Sequence, residues 1–160
     1  MKNLWAPWRI QYIRQSRAPD CFLCAAFRSP PHRDRAHLLL KRGRTCGLMI
    51  NRFPYNGGHL MVAPRRHVAD LQELRPAEQA ELMRLATVAV AALKKTMRPD
   101  GFNLGINLGA AGGAGLRDHL HLHIVPRWNG DTNFMPVFAD VKVIPQALEE
   151  LWAQLAAVLH

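Results

Sequence analysis

The spacing of apolar positions changes several times along the chain, and each change marks an element. Residues 37–41, 45–51 and 59–63 are short apolar runs of strand length. Pro64 ends the third run, and Pro54-Tyr55-Asn56-Gly57-Gly58 before it reads as a turn whose glycines are available for positive φ. The period then lengthens: Leu82, Leu85, Ala89, Leu93 and Met97 fall on one face of a helix predicted over 76–97. Pro76 suits its first turn, Glu78 and Glu81 suit its positive end, and Lys94 and Lys95 suit its negative end. After the breaker Arg98-Pro99-Asp100-Gly101, the pattern predicts a strand over 102–108, a glycine-rich loop over 109–115, and a strand over 119–125 stopped by Pro126. Leu148, Leu151, Trp152, Leu155 and Leu159 predict a closing helix. Strands with one long helix among them give an α+β fold with a mainly antiparallel sheet.

The flanks add less. Residues 1–20 carry Trp5, Trp8, Ile10, Tyr12 and Ile13 among basic and polar neighbours, which reads as an arm packing on the domain or on a second subunit. Residues 28–35 read as loop from their prolines and charge. A chain of 160 residues fits a single domain over 1–160.

Lys and Arg number 21 against 12 Asp and Glu, a formal charge of +9 that favours anionic partners such as nucleotides. The basic residues are scattered, and no zinc finger, basic zipper or aromatic-studded RNA motif is present, which argues against nucleic acid as the partner. No apolar run is long enough for a membrane span, and the N-terminus lacks the apolar stretch of a signal peptide, so a cytoplasmic protein is expected. Three cysteines without a secretory signal argue against a disulfide framework. Cys46, in an apolar run, reads as a small buried hydrophobe. The pair Cys21-Phe22-Leu23-Cys24 leaves three readings: a redox motif, a metal site, or two ordinary small residues.

The chemistry concentrates at His119-Leu120-His121-Leu122-His123. Side chains alternate along a strand, so the three imidazoles share one face while Leu120 and Leu122 take the other. Such a face can hold a catalytic zinc with an open position. Alternatively the imidazoles can divide labour, one as nucleophile and the others as hydrogen-bond partners. The glycine loop just upstream favours the second reading, because its backbone N–H groups can approach a phosphate unobstructed. His32, His37 and His160 stand apart and read as solvated.

With these residues in view, the sequence resembles the histidine triad superfamily, whose signature is three histidines alternating with hydrophobic residues. The resemblance extends to Leu4-Trp5-Ala6-Pro7-Trp8-Arg9, to Asn51-Arg52-Phe53-Pro54-Tyr55-Asn56-Gly57-Gly58-His59, and to Pro126-Arg127-Trp128-Asn129-Gly130-Asp131-Thr132-Asn133-Phe134. These segments look like the diadenosine polyphosphate hydrolase and phosphorylase branch more than the nucleoside phosphoramidase branch. The resemblance implies a two-step displacement in which His121 attacks the α-phosphorus and water or phosphate resolves the nucleotidyl-histidine. It implies that His123 and His59 contact the phosphate and that backbone at His119 fixes the His121 tautomer. Asn51 would hold the ribose, Asn107 would lie on the phosphate side, and Gly113 and Gly115 would offer backbone donors. It also implies a structural zinc held by Cys21, Cys24, His67 and His119, and at least a homodimer. The rival classes are a zinc hydrolase built on the three triad histidines and a non-catalytic nucleotide- or RNA-binding module.

Overall fold

A computed structural model describes residues 21–131 and 146–159. The tryptophan arm, the segment Thr132-Asn133-Phe134 and His160 lie outside the described residues.

The helix α1 (Phe22–Arg28) is followed by a 3-10 turn at Pro31–Arg33 and by the strands β1 (Leu39–Arg42), β2 (Cys46–Ile50) and β3 (Leu60–Pro64). A second 3-10 turn, Leu71–Glu73, leads into α2 (Pro76–Met97), then β4 (Gly101–Ile106), β5 (Leu122–Arg127) and α3 (Leu148–Leu159). The sheet has the order β1-β2-β3-β5-β4. Every neighbouring pair is antiparallel, so the α+β expectation holds. α2 occupies the predicted span, with Leu82, Leu85, Ala89 and Leu93 buried along its inner face.

The two faces of the sheet carry different cores. Leu48, Ile50, Leu60, Val62, Leu122 and Ile124 pack under α2 and α3. Leu39, Met49, Met61 and Ala63 point the other way and pack with Leu23, Ala26 and Phe27 of α1. A fully buried leucine such as Leu155 of α3 contributes roughly 2 kcal/mol. The Trp152 indole N–H donates to the Leu39 carbonyl at 2.9 Å and docks α3 on β1.

Several boundaries differ from the sequence reading, β1 among them, which starts at Leu39 and not at 37. α1 was not expected: at seven residues it is too short for helical periodicity to show. Tertiary contacts hold it, since the Arg42 guanidinium donates to the carbonyls of Ala26, Phe27 and Ser29 while pairing with Asp34 at 2.6 Å. β4 stops at Ile106, before the predicted 108. β5 starts at Leu122, later than predicted, and runs through Pro126 to Arg127.

Proline is tolerated in β5 for a geometric reason. The Arg127 carbonyl accepts from Asp100 N–H on the β4 side at 2.9 Å, so the backbone groups of the preceding residue face the β3 side. On that side the ladder with β3 already ends at Leu60↔Ile124, and no partner waits for the missing N–H. Met61 pairs with His123, which places His123 on the face shared with α1. Two residues earlier, His121 shares that face.

Candidate functional site

His59 enters β3 from the turn at 54–58, and Gly58 is what lets the chain make that entry. Gly58 has φ +75, and a Cβ there would lie 2.7 Å from the Met97 sulfur and 3.0 Å from Pro126 Cγ. His59 is fully buried. Its Nδ1 accepts the Tyr55 backbone N–H at 3.0 Å, so its own proton sits on Nε2, 2.9 Å from His123 Nδ1. Burial, with His123 and His121 nearby, pushes His59 from 6.5 down to about 3 and keeps it neutral. His123 therefore accepts at Nδ1 and carries its proton on Nε2. The Tyr55 ring covers the pair, its centroid 4.7 Å from His59 and 5.6 Å from His123.

His121 meets His123 edge-on, with ring centroids 4.7 Å apart. Its Nδ1 lies 2.8 Å from the His119 carbonyl. A carbonyl only accepts, so Nδ1 carries the proton and Nε2 carries the lone pair. Burial lowers the His121 pKa and favours this neutral form. The resulting pair offers a bare ring nitrogen beside a ring N–H, a nucleophile and a proton donor side by side.

His119 turns elsewhere. Its Nε2 donates to the Pro64 carbonyl at 2.8 Å, which leaves Nδ1 as acceptor. That Nδ1 lies 3.2 Å from Cys21 Sγ and 3.5 Å from Cys24 Sγ, and His67 Nδ1 lies 3.3 Å from Cys24 Sγ. The four ligand atoms all fall within 4.8 Å of one another. Four donors at zinc's ordinary bond lengths stand roughly 3.3–3.8 Å apart, so two thiols and two imidazoles at these distances fit a closed tetrahedral site. The Pro64 carbonyl supplies the outer support that metal-binding imidazoles usually have. Burial brings His119 down to about 4, which suits a neutral ligand.

The remaining predicted residues are placed less tightly. Asn51 follows β2 directly, its Oδ1 accepting Phe53 N–H at 2.9 Å and its Nδ2 3.3 Å from His59 Nδ1. Asn107 is half-buried just past β4. Gly113 has positive φ and donates its N–H within the loop, to the Ala110 carbonyl at 3.0 Å. Gly115 is half-buried. Cys46 is fully buried, as expected of a small hydrophobe. His37 is a correction: it is half-buried, with Nε2 2.9 Å from Ser29 Oγ, because α1 brings Ser29 against it. Sequence reasoning did not single out Tyr55 as a site residue: its N–H contact leaves no side-chain signal, and its ring, which covers the two imidazoles, sat in a segment read as a turn.

The HIT domain family model matches residues 35–130. The chain is 40% identical over 162 aligned residues to AP-4-A phosphorylase of Mycobacterium tuberculosis, spanning 98% of this chain and 83% of that protein. It is 30% identical over 112 residues to an adenylylsulfatase of Arabidopsis thaliana, spanning 70% of this chain and 54% of that one. A zinc-bound histidine triad family protein from Mycobacterium smegmatis superposes with a TM-score of 0.67 at 25% identity, covering 88% of this chain and 93% of that structure. The matched span takes in the whole five-stranded sheet, and the chain belongs to the HIT domain family.

Proposed function

We propose that this chain is an enzyme that splits diadenosine polyphosphates, such as diadenosine tetraphosphate, by transferring the nucleotidyl group through His121. One observation carries the mechanism: the His119 carbonyl holds the proton on His121 Nδ1, leaving the Nε2 lone pair beside His123. In the first step that lone pair forms a bond to the α-phosphorus, and the bond to the departing nucleoside polyphosphate breaks. The leaving oxygen takes the proton from His123 Nε2. In the second step phosphate or water attacks the same phosphorus, its proton returns to His123, and the bond to His121 breaks. The products are ADP with phosphate as acceptor, or AMP with water.

Asn51 holds the ribose, while Asn107 and the backbone N–H of Gly115 face the phosphates; the Gly113 N–H, donated to the Ala110 carbonyl, shapes the loop instead. His59, fully buried behind His123, supports that residue and reaches the phosphate through it. A zinc held by Cys21, Cys24, His67 and His119 supplies a cross-link between α1, the loop after β3 and the approach to β5. Because His119 is drawn to the cysteine pair, the geometry speaks against a zinc hydrolase built on the three triad histidines. The working form is a cytoplasmic homodimer of single-domain chains spanning 1–160. The exposed edge strand β4 supports a partner there. Among the described residues, no helix is long and apolar enough to cross a membrane.

The deciding experiment incubates the protein with diadenosine tetraphosphate, with and without inorganic phosphate, and separates the products by chromatography. ADP and ATP formed only with phosphate identify a phosphorylase. AMP and ATP formed without phosphate identify a hydrolase, whereas ADP alone means cleavage at the β-phosphorus and overturns attack at the α-phosphorus. No cleavage under either condition overturns the reading.

A further inference from the structure

Two motif segments, the turn at 54–58 and the end of β5 with its following turn, meet through two buried polar side chains that have no part in the chemistry above. Asn56 is 7% exposed. Its Nδ2 donates to the Pro126 carbonyl at 3.0 Å and to Asp131 Oδ2 at 2.9 Å. The Asp131 side chain is 8% exposed. Its carboxylate also accepts from Arg127 Nε at 2.6 Å, from Arg127 Nη2 at 2.9 Å and from Trp128 N–H at 3.3 Å. The backbone of Asn56 closes the turn, its carbonyl accepting His59 N–H at 3.2 Å. Asn56 thus ties to β5 the same turn whose Tyr55 N–H points at His59 Nδ1.

That N–H is the closer of two donors at His59 Nδ1, Asn51 Nδ2 at 3.3 Å being the other, and it sets the sense of the histidine pair. While Tyr55 donates to Nδ1, His59 must hold its proton on Nε2 and give it to His123 Nδ1. If the turn shifts and the donor is lost, the second His59 tautomer becomes accessible, with a bare Nε2 facing His123. His123 then answers by moving its proton to Nδ1, and the nitrogen it presents to the phosphate turns from donor to acceptor. Through this sequence a tie more than one residue removed from any imidazole reaches the reacting atoms.

We propose that Asn56 and Asp131 are positioning residues that fix the direction of the His59–His123 hydrogen bond through the Tyr55 backbone N–H, so that His123 presents a proton donor to the substrate. The effect on catalysis rests on the function proposed above; the effect on the tautomers does not.

The test uses the full chain labelled with nitrogen-15 in histidine, with long-range proton–nitrogen spectra to assign each ring's tautomer. In wild type, His59 and His123 both show a protonated Nε2 and a bare Nδ1. Asn56→Ala mixes the tautomers of both rings and lowers kcat roughly tenfold to a hundredfold with KM unchanged. It leaves His119 and the metal content untouched, which separates the effect from general loss of structure. Asp131→Asn, which keeps an acceptor oxygen, shifts the same rings less, and it carries the test if Asn56→Ala fails to fold. Wild-type tautomers in a folded variant overturn the proposal, whatever happens to kcat. Mixed tautomers in a protein that cleaves no diadenosine polyphosphate sustain it and sink the proposed function instead.

Discussion

His119 and His121 stand two residues apart, both buried, both neutral, and each tied by one ring nitrogen to a backbone carbonyl. They differ in which nitrogen is tied. His121 uses Nδ1, on the His119 carbonyl, and so offers Nε2 beside His123. His119 uses Nε2, on the Pro64 carbonyl, and so offers Nδ1 to Cys21 and Cys24. One histidine run therefore serves two sites, one for phosphorus chemistry and one for a metal. An imidazole's task is set by the acceptor behind it, since a carbonyl can take only the protonated nitrogen.

The largest expected effect separates the two sites outright. His121→Asn keeps the fold, the nucleotide affinity and the metal, but loses on the order of a thousandfold or more in turnover, the scale of deleting a nucleophile. Metal analysis and kinetics on one preparation check both halves. Turnover near the wild-type rate would return His121 to the role of a phosphate-binding residue. An acid-labile, base-stable radiolabel from an α-labelled nucleotide should attach to wild type and be missing from the variant.

Cys21→Ser works on the other site. It should remove about one zinc per chain and cost on the order of 3 kcal/mol in stability, because metal binding becomes folding free energy when the site forms only in the folded chain. Denaturant titration beside metal analysis reads both quantities. Stoichiometric zinc retained in a Cys21→Ser/Cys24→Ser protein would place the metal elsewhere.

The last expected effect shows only in acid and concerns His59. Its pKa in the folded protein, about 3, lies below the ordinary 6.5, so between those values the unfolded chain holds a proton that the folded chain refuses. The stability tied to its neutral form is complete above about pH 6.5 and is lost as pH falls toward about 3. His59→Gln should therefore flatten the pH dependence of the unfolding free energy by up to about 1.4 kcal/mol per pH unit across that window. Parallel slopes for wild type and variant between about pH 4 and 6 would show that His59 is not held neutral by the fold.

Much of this was legible in the residues. Leu82, Leu85, Ala89 and Leu93 announced α2 because a helix that buries one face must repeat that face every three to four positions. The alternation over 119–123 announced that the odd positions share a face, and the leucines between them do enter the core under α2. Shorter or less regular pieces were hidden. α1 has too few residues to display a period, and it is held by tertiary contacts: Leu23, Ala26 and Phe27 against the sheet and Arg42 of β1 on its carbonyls. Pro126 read as a stop, since whether its missing N–H matters depends on where β3 ends.

By itself, then, the sequence determined the elements with strong periodicity, the shared face of the histidines and the residue types available for chemistry. All three follow from local geometry, which neighbouring residues carry wherever they go. The family resemblance implied that His119 joins Cys21, Cys24 and His67 and that His59 works with His123, but only the tertiary structure decided the contacts: His119 Nδ1 against the two thiols, and His59 Nε2 against His123 Nδ1. The same holds for the proton each ring keeps. Those choices depend on backbone acceptors and donors at Pro64, His119 and Tyr55. A backbone carbonyl or N–H is the same in every residue, so side-chain pattern alone does not show which one stands behind each ring, and only the family resemblance pointed to the backbone at His119.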